Sequence, residues 1–343
     1  MLIYHCPPLG KNEQVPYSYR ARAYMPSNYI RDLYAESKVV DSLETTWIEP
    51  DDVVVLGKKH NNVNVRHLKQ RGHKFIFDVA DDKWDLLGEI WDRTCKDATA
   101  ITTTCETLAN VIWTRTGRKA TVIPAPTERK EEAAKFLPKK DELRIVYFGN
   151  VSNYRQLAWK DIEDKVYRSF PGKKIQFDWC INKWFRRPTK GEKHPRYVYG
   201  MPKEKIEILL RDFQQHYDRI IDWSFEKQGE LVRQADLVIL PINPRHRMTR
   251  SKGNNRPIDA IRQGRFVICN GGCPSYEKLK NYLYIGDITK GIQWAVENPI
   301  EVVRRIKKGQ AKIKRELDGY TPGVIGERWR KIYHQVLDGV VEI

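Results

Sequence analysis

The feature that most constrains this chain is a set of short, strongly apolar runs that read as buried strands. "LIYHC", "VVVLGK", "KFIFDVADD" and "AITTTC" fall in the first third, and "LRIVYFGN", "KKIQFDWC", "DLVILPI" and "RFVICN" follow beyond residue 142. Stretches with helical spacing lie between them. "VRHLKQRGH" closes at Gly72 with basic residues in its last turn, and "ETLANVIWTRTG" closes at Gly117, because glycine leaves a helix through left-handed backbone at little cost. A further helix is predicted over about Tyr19 to Leu33. Strands alternating with helices bury both faces of a parallel sheet, so the predicted fold class is α/β.

The pattern runs once, pauses and restarts. "TERKEEAAKFLPKKDE" reads as a linker with an exposed helix, and the strand at 143–150 then opens a second unit ending in Gly-Asn. A chain of 343 residues is long enough for two cores. The expected organisation is two Rossmann-like domains facing across a cleft, residues 1–140 and 141–320, with a helix at 321–343 packing back on the first.

Charge and cysteines narrow the function classes. Lys and Arg total 61 against 44 acids, a formal +17, which attracts polyanions: nucleic acid, anionic lipid or nucleotide phosphate. No run of about 18 apolar residues suggests a membrane span. The start, "MLIYHCPPLGK", reads as a first strand and not as a secretory signal. Six cysteines at 6, 95, 105, 180, 269 and 273 form no C-x-x-C pair. They read as reduced, buried thiols of a cytoplasmic protein, in a host's cytoplasm were the chain viral. Cys269 and Cys273 with His5 or His73 make a poor metal set, so no metal is expected.

The most informative stretch is "TRSKGNNRPIDAIRQGRFVICNGG", from Thr249 to Gly272. It places Lys252, Asn254, Asn255 and Arg256 just before Pro257, at the start of a predicted helix, with Asp259 within its first turn. One Ser or Asn would cap such a helix. Two cations and two amides beside a helix N-terminus, with its partial positive charge, point to a bound anion.

In order and content, "DLVILPI", the basic loop and "PIDAIRQGRFVIC" resemble the donor-binding half of GT-B-fold glycosyltransferases, the family-four-like group in particular. "FDVADD" resembles an acidic stretch ending a strand in their first domain, and "TVIPAP" the segment closing that domain. Residue-level similarity is confined to about 248–272. The group's paired glutamates would fall at Ser251 and Asp259, so one is absent and the other a methylene shorter.

The resemblance implies a nucleotide-diphosphate sugar as donor, a UDP-sugar for preference, and no further cofactor. Lys252 and Arg256 would then neutralise the diphosphate and stabilise the charge growing on it as the glycosidic bond breaks. Asp259 would accept from ribose hydroxyls, and Asn254 and Asn255 would hold the sugar or only cap the helix. Gly149 and Asn150, after the first strand of the second unit, would bring backbone close to the diphosphate.

In "FDVADDKW", Asp82 or Asp81 is the expected general base on an acceptor hydroxyl, with Asp78 structural. Tyr19, Arg20 and Arg22 touch acceptor or phosphate, or else begin an amphipathic helix. At 178–200, Trp179, Trp184, Phe185 and two tyrosines interleave with Lys183, Arg186, Arg187 and further cations. Aromatics stack on bases and cations meet phosphates, and "RRIKKGQAKIKRE" at 304–316 adds a second basic stretch. The acceptor expected from this is DNA carrying a hydroxymethylated pyrimidine such as 5-hydroxymethylcytosine, as in phage-type DNA-modifying enzymes, with the base out of its stack. The alternatives are a cell-surface polysaccharide or lipid-linked glycan, and a nucleic-acid-binding protein without catalysis. A phosphoryl-transfer enzyme is disfavoured, since no G-x-x-x-x-G-K-[ST] loop is present.

Overall fold

The protein is described by a computed structural model covering residues 1–5, 20–34, 37–57 except 41 and 45, 62–138 except 128, 141–150, 159–182, 220–316 except 244 and 246, and 321–339. The first unit runs β1 (Leu2–His5), a π-helical turn (Arg20–Tyr24) continuing into α1 (Met25–Tyr34), β2 (Ser37–Val40), β3 (Val53–Leu56) and α2 (Asn62–Gln70). It goes on through β4 (Lys74–Val79), α3 (Trp84–Asp97), β5 (Ala100–Thr103), α4 (Glu106–Thr116) and β6 (Thr121–Val122). Its six strands pair in the order β2-β1-β3-β4-β5-β6, all parallel. The helix stops at Gly72 and Gly117 hold, with φ of 70° and 68°.

The second unit comprises β7 (Glu142–Asn150), α5 (Trp159–Ser169), β8 (Lys174–Asn182), β9 (Ile220–Asp222), α6 (Phe225–Gln234), β10 (Leu237–Ile239), α7 (Arg247–Arg250) and α8 (Asn255–Arg262). After these come β11 (Phe266–Cys269), α9 (Pro274–Glu277), β12 (Tyr284–Ile285), α10 (Ile288–Glu297), α11 (Pro299–Glu316) and α12 (Pro322–Asp338). This sheet is also parallel, in the order β12-β11-β10-β7-β8-β9. Strand order reverses between β7 and β10, and in the first sheet between β1 and β3. Such a reversal opens a crevice beyond the strand C-termini, where ligands bind in doubly wound sheets. β10 ends at Ile239, whereas β7 runs on to Asn150, so the end of β7 borders that crevice.

Apolar side chains line both faces of each sheet, as strand runs without a polar face require. In the first sheet Phe77 packs edge-on to Trp91 at 5.5 Å on one face. On the other, Tyr4 meets Trp329 of α12 at 5.5 Å, alongside buried Ile325, Tyr333 and Val336. The N-terminal amine donates to the Tyr333 hydroxyl at 2.7 Å and Lys74 Nζ to the Leu337 carbonyl at 2.8 Å. The last described helix is thus part of the first sheet's core. Among the described residues, no helix is long and apolar enough to cross a membrane.

The stretch expected as an exposed helix before the second unit differs. Residues 129–138 have no regular structure, and Phe136 is buried in the second core. The backbone instead pairs with the end of α8: Glu132 N donates to Arg262 O at 2.8 Å and Lys135 N to Gly264 O at 3.0 Å. Gln310 of α11 donates to Glu132 O at 2.7 Å. Pairing with the neighbouring unit and burying Phe136 outweigh a modest helix propensity. Gly264 permits it: φ is +70°, and a Cβ there would lie 2.0 Å from the Ala133 carbonyl oxygen.

Candidate functional site

The helix predicted from the basic loop is α8. Asn254 occupies its N-cap position without a side-chain capping bond. Pro257 sits inside the first turn, where no intrahelical donor is lost. From this turn the Arg256 side chain reaches the end of β7, with Nη1 3.5 Å from the Phe148 carbonyl oxygen. Gly149 makes the room. A Cβ on it would stand 2.4 Å from Tyr147 Oη and 3.1 Å from Arg256 Nη1. Burial opposes the charge on Arg256, but the neighbouring Tyr276 and Tyr147 hydroxyls more than offset it, so the guanidinium stays cationic. Burial pushes the Tyr276 hydroxyl up, so it stays protonated. A fixed cation and an uncapped helix start therefore stand together at the crevice between β7 and β10.

Asp259 falls in the second turn of α8 and not the first, since the helix begins at Asn255. It is buried, with 6% exposure. Ser251, where the resemblance would put a glutamate, is buried too, and its hydroxyl donates to the Arg247 carbonyl at 3.1 Å.

The loop between α7 and α8 is pinned from both units. The Cys105 thiol of the first donates to the Ser251 carbonyl at 3.4 Å, and the Cys273 thiol of the second donates to the Lys252 carbonyl at 3.5 Å. A Cβ on Gly253 would lie 3.8 Å from Thr104, and Lys278 pairs with Glu106. Burial raises the Cys273 thiol and pushes that of Cys269 up to about 12. Both are neutral at ordinary pH. No cluster of three or more His, Cys, Asp or Glu side chains able to hold a metal occurs among the described residues.

Asp82 lies 2% exposed in the turn between β4 and α3. Arg247 forks onto it from the other unit, Nε to Oδ2 and Nη2 to Oδ1 at 2.7 Å each, while its Nη1 reaches the exposed Asp85 at 3.1 Å. A general base needs a lone pair aimed at the acceptor, and here both oxygens accept from a cation. Asp82, the expected base, joins the two units in this arrangement. Asp81, beside it, is half-buried.

Arg22, read as touching acceptor or phosphate or else beginning a helix, lies at the helical start with its side chain buried. It is 5% exposed, its Nε donates to Asp78 Oδ2 at 3.0 Å, and it also donates to the Ile123 carbonyl. Thr102 completes the set by donating to Asp78 at 2.8 Å. A buried carboxylate needs such partners, and the pair sits inside the first unit. Asp78 is structural, as read. Trp179, assigned to a stacking surface, is instead buried in β8, where its indole N–H donates to Glu163 at 2.8 Å.

Tyr19, Lys183, Trp184, Arg186 and Arg187 lie outside the described residues, as do the side chains of Arg20 and Asn150. In the second basic stretch, Arg304 is tied to Glu301 and Arg305 covers Trp294 at 4.5 Å, whereas Lys307, Lys308, Lys314 and Arg315 are exposed. Sequence reasoning did not single out Arg247, Tyr147, Tyr276, Thr104 or Cys105. For Arg247 the available signal was its place in "PRHRMTR", just beyond the strand-like run "DLVILPI".

No family model and no curated protein matches the chain by sequence. Solved structures match by fold. TarM aligns with a TM-score of 0.60 at 10% identity over 90% of this chain, which spans 58% of TarM's length. WaaG, a glycosyltransferase involved in lipopolysaccharide biosynthesis, aligns with a TM-score of 0.59 at 11% identity, over 97% of this chain and 99% of WaaG. A trehalose-6-phosphate synthase, studied for glycosyltransfer with retention, gives a TM-score of 0.58 at 10% identity over 97% and 99%. One structure of TarM from S. aureus contains UDP and α-GlcNAc-glycerol. The two parallel six-stranded sheets form the GT-B architecture of these neighbours, as the sequence led us to expect.

Proposed function

We propose that this chain is a glycosyltransferase that moves a sugar from a nucleotide-diphosphate sugar to an acceptor hydroxyl. One observation carries the reading: Arg256 is seated under Gly149 at the β7/β10 crevice, beside the uncapped first turn of α8. A diphosphate there meets the Arg256 guanidinium, the Lys252 ammonium and helix N–H groups. As the bond from the anomeric carbon to the diphosphate oxygen breaks, negative charge grows on the leaving group, so these cations favour the transition state over the ground state. Asp259 and the amides Asn254 and Asn255 are proposed to orient ribose and sugar from the same helix, with backbone at Gly149 and Asn150 beside the phosphates. UDP is the nucleotide we favour, since the TarM structure holds it in the same fold.

The acceptor oxygen attacks the anomeric carbon and must lose its proton. With both Asp82 oxygens engaged by Arg247, we favour retention, in which an oxygen of the departing diphosphate lies on the attacked face and takes that proton. Inversion would call on Asp81 as base.

For the acceptor we favour a glycan or lipid-linked sugar, in line with WaaG's part in lipopolysaccharide biosynthesis. The +17 charge keeps a hydroxymethylated base in DNA as the second reading, and the 183–200 segment that bears on it lies outside the described residues. The test incubates the protein with a panel of nucleotide sugars and three acceptors: glycan oligosaccharides, lipid-linked sugars, and duplex DNA containing 5-hydroxymethylcytosine. Mass spectrometry reads sugar addition, and NMR of the anomeric proton reads configuration. Transfer to a glycan is expected. Transfer only to DNA would reverse the acceptor assignment, and salt-sensitive DNA binding with no donor turnover would favour a non-catalytic binding protein.

A further inference from the structure

A two-point ion pair between the two units joins Arg247 and Asp82, 165 positions apart. Asp82 is buried and Arg247 partly exposed, with side-chain exposures of 1% and 37%. A planar guanidinium holding both oxygens of one carboxylate fixes direction as well as distance. On the first unit, Asp82 is itself anchored, because its Oδ1 accepts from Trp84 N at 3.4 Å and the Trp84 ring packs edge-on against Trp91 at 4.9 Å. On the second, the Arg247 carbonyl accepts from both the backbone N–H and the hydroxyl of Ser251, at 3.2 and 3.1 Å. Ser251 directly precedes Lys252. One chain of contacts therefore runs from the β4 end, through Asp82 and Arg247, to the loop that carries Lys252 and leads into Arg256.

We infer that Arg247 and Asp82 are a positioning pair for the transfer reaction. The pair sets the register of the donor loop against the first unit, and Asp82 acts through Arg247 instead of on the acceptor. This inference rests on the proposed function for its kinetic readout, but its geometric content stands without it. Loss of Arg247 leaves Asp82 without its cation in a dry site, and loss of Asp82 leaves Arg247 paired with the exposed Asp85 at the edge of that site. The loop then keeps the Cys105 thiol and packing on Thr104 among its contacts with the first unit. Misplacing a donor by about 1 Å lowers turnover by up to roughly 100-fold.

The test compares Asp82→Asn, Arg247→Gln, their double variant, and the exchange Asp82→Arg with Arg247→Asp, in the full-length protein. For each, steady-state transfer kinetics, the pH–rate profile, UDP affinity and radius of gyration by small-angle X-ray scattering are measured. Each single variant is expected to lower kcat/KM by about 10- to 100-fold. The double variant should be no worse than the poorer single one, since the two residues act as a unit. Both limbs of the pH profile should persist, and the exchange should regain activity.

If Asp82→Asn alone abolishes one pH limb with a loss of order 1,000-fold, while Arg247→Gln stays near wild type, the inference is overturned and Asp82 is the base. Should the exchange fail to fold, non-additivity of the single and double variants still decides. A wild-type protein that turns over no donor would fail the glycosyltransferase reading alone. Scattering then tests the pair: both single variants should enlarge the radius of gyration, and an unchanged radius in both overturns the inference.

Discussion

Gly149→Ala probes the site with one carbon atom. The residue lies in regular strand backbone, so the new methyl brings no dihedral strain, and alanine loses less chain entropy on folding by about 0.5–1 kcal/mol. Against this, its Cβ would fall 2.4 Å from Tyr147 Oη, 2.9 Å from Cζ and 3.1 Å from Arg256 Nη1. Reaching ordinary contact requires the tyrosine to retreat by about 1 Å. Tyr147 is 3% exposed and packs against Trp179 at 5.7 Å, so it cannot swing into solvent. Overpacking of this kind costs about 1–3 kcal/mol, and the entropy gain brings the net loss to about 1–2 kcal/mol. For a unit of this size that lowers Tm by roughly 2–8 °C. Because the methyl also presses on Arg256, UDP affinity should fall by about 10-fold, or 1.4 kcal/mol. Differential scanning calorimetry and isothermal titration calorimetry read the two quantities. Adding Tyr147→Phe removes the nearest colliding atom and should restore part of the Tm. Wild-type Tm would refute the packing argument, and a lower Tm with undiminished UDP affinity would refute the link from Gly149 through Arg256 to the donor.

Arg256→Met keeps much of the side-chain volume and removes the charge; UDP binding should weaken by about 10- to 100-fold, as for a lost hydrogen bond to a charged group, with a shallower salt dependence in titration calorimetry. Gly264→Ala combines positive φ with a Cβ placed 2.0 Å from the Ala133 carbonyl oxygen, and chemical denaturation should show a loss of about 3 kcal/mol or more. Burial holds the thiols of Cys95, Cys180 and Cys269 up to about 12, against 9.0 ordinarily. Their contribution to stability is therefore complete below pH 9 and erodes as pH climbs towards 12, since the unfolded chain ionises first. The same three thiols should resist a disulfide reagent at pH 8 in the native protein and react once guanidinium unfolds it.

Much of the local structure could be read from the sequence because it is encoded locally. Apolar runs and glycine stops each depend on neighbours within a turn or a strand. The start of α8 and its cations were legible for the same reason, all of them falling within a few residues. The linker was misread because its helix propensity was weighed without the carbonyls of Arg262 and Gly264 that its backbone meets.

The sequence by itself determined the α/β alternation, the two units and the cationic helix mouth, since strand burial and helix periodicity are properties of short segments. Only the tertiary structure decided what each charged group does. Arg22 found Asp78, 56 residues away, and left the surface; Asp82 found Arg247, 165 residues away, and ceased to be an open carboxylate. Three acids within five residues, Asp78, Asp81 and Asp82, look alike in a sequence. A buried charge takes its role from the partner that neutralises it, and chain folding chooses that partner across distances no local pattern records.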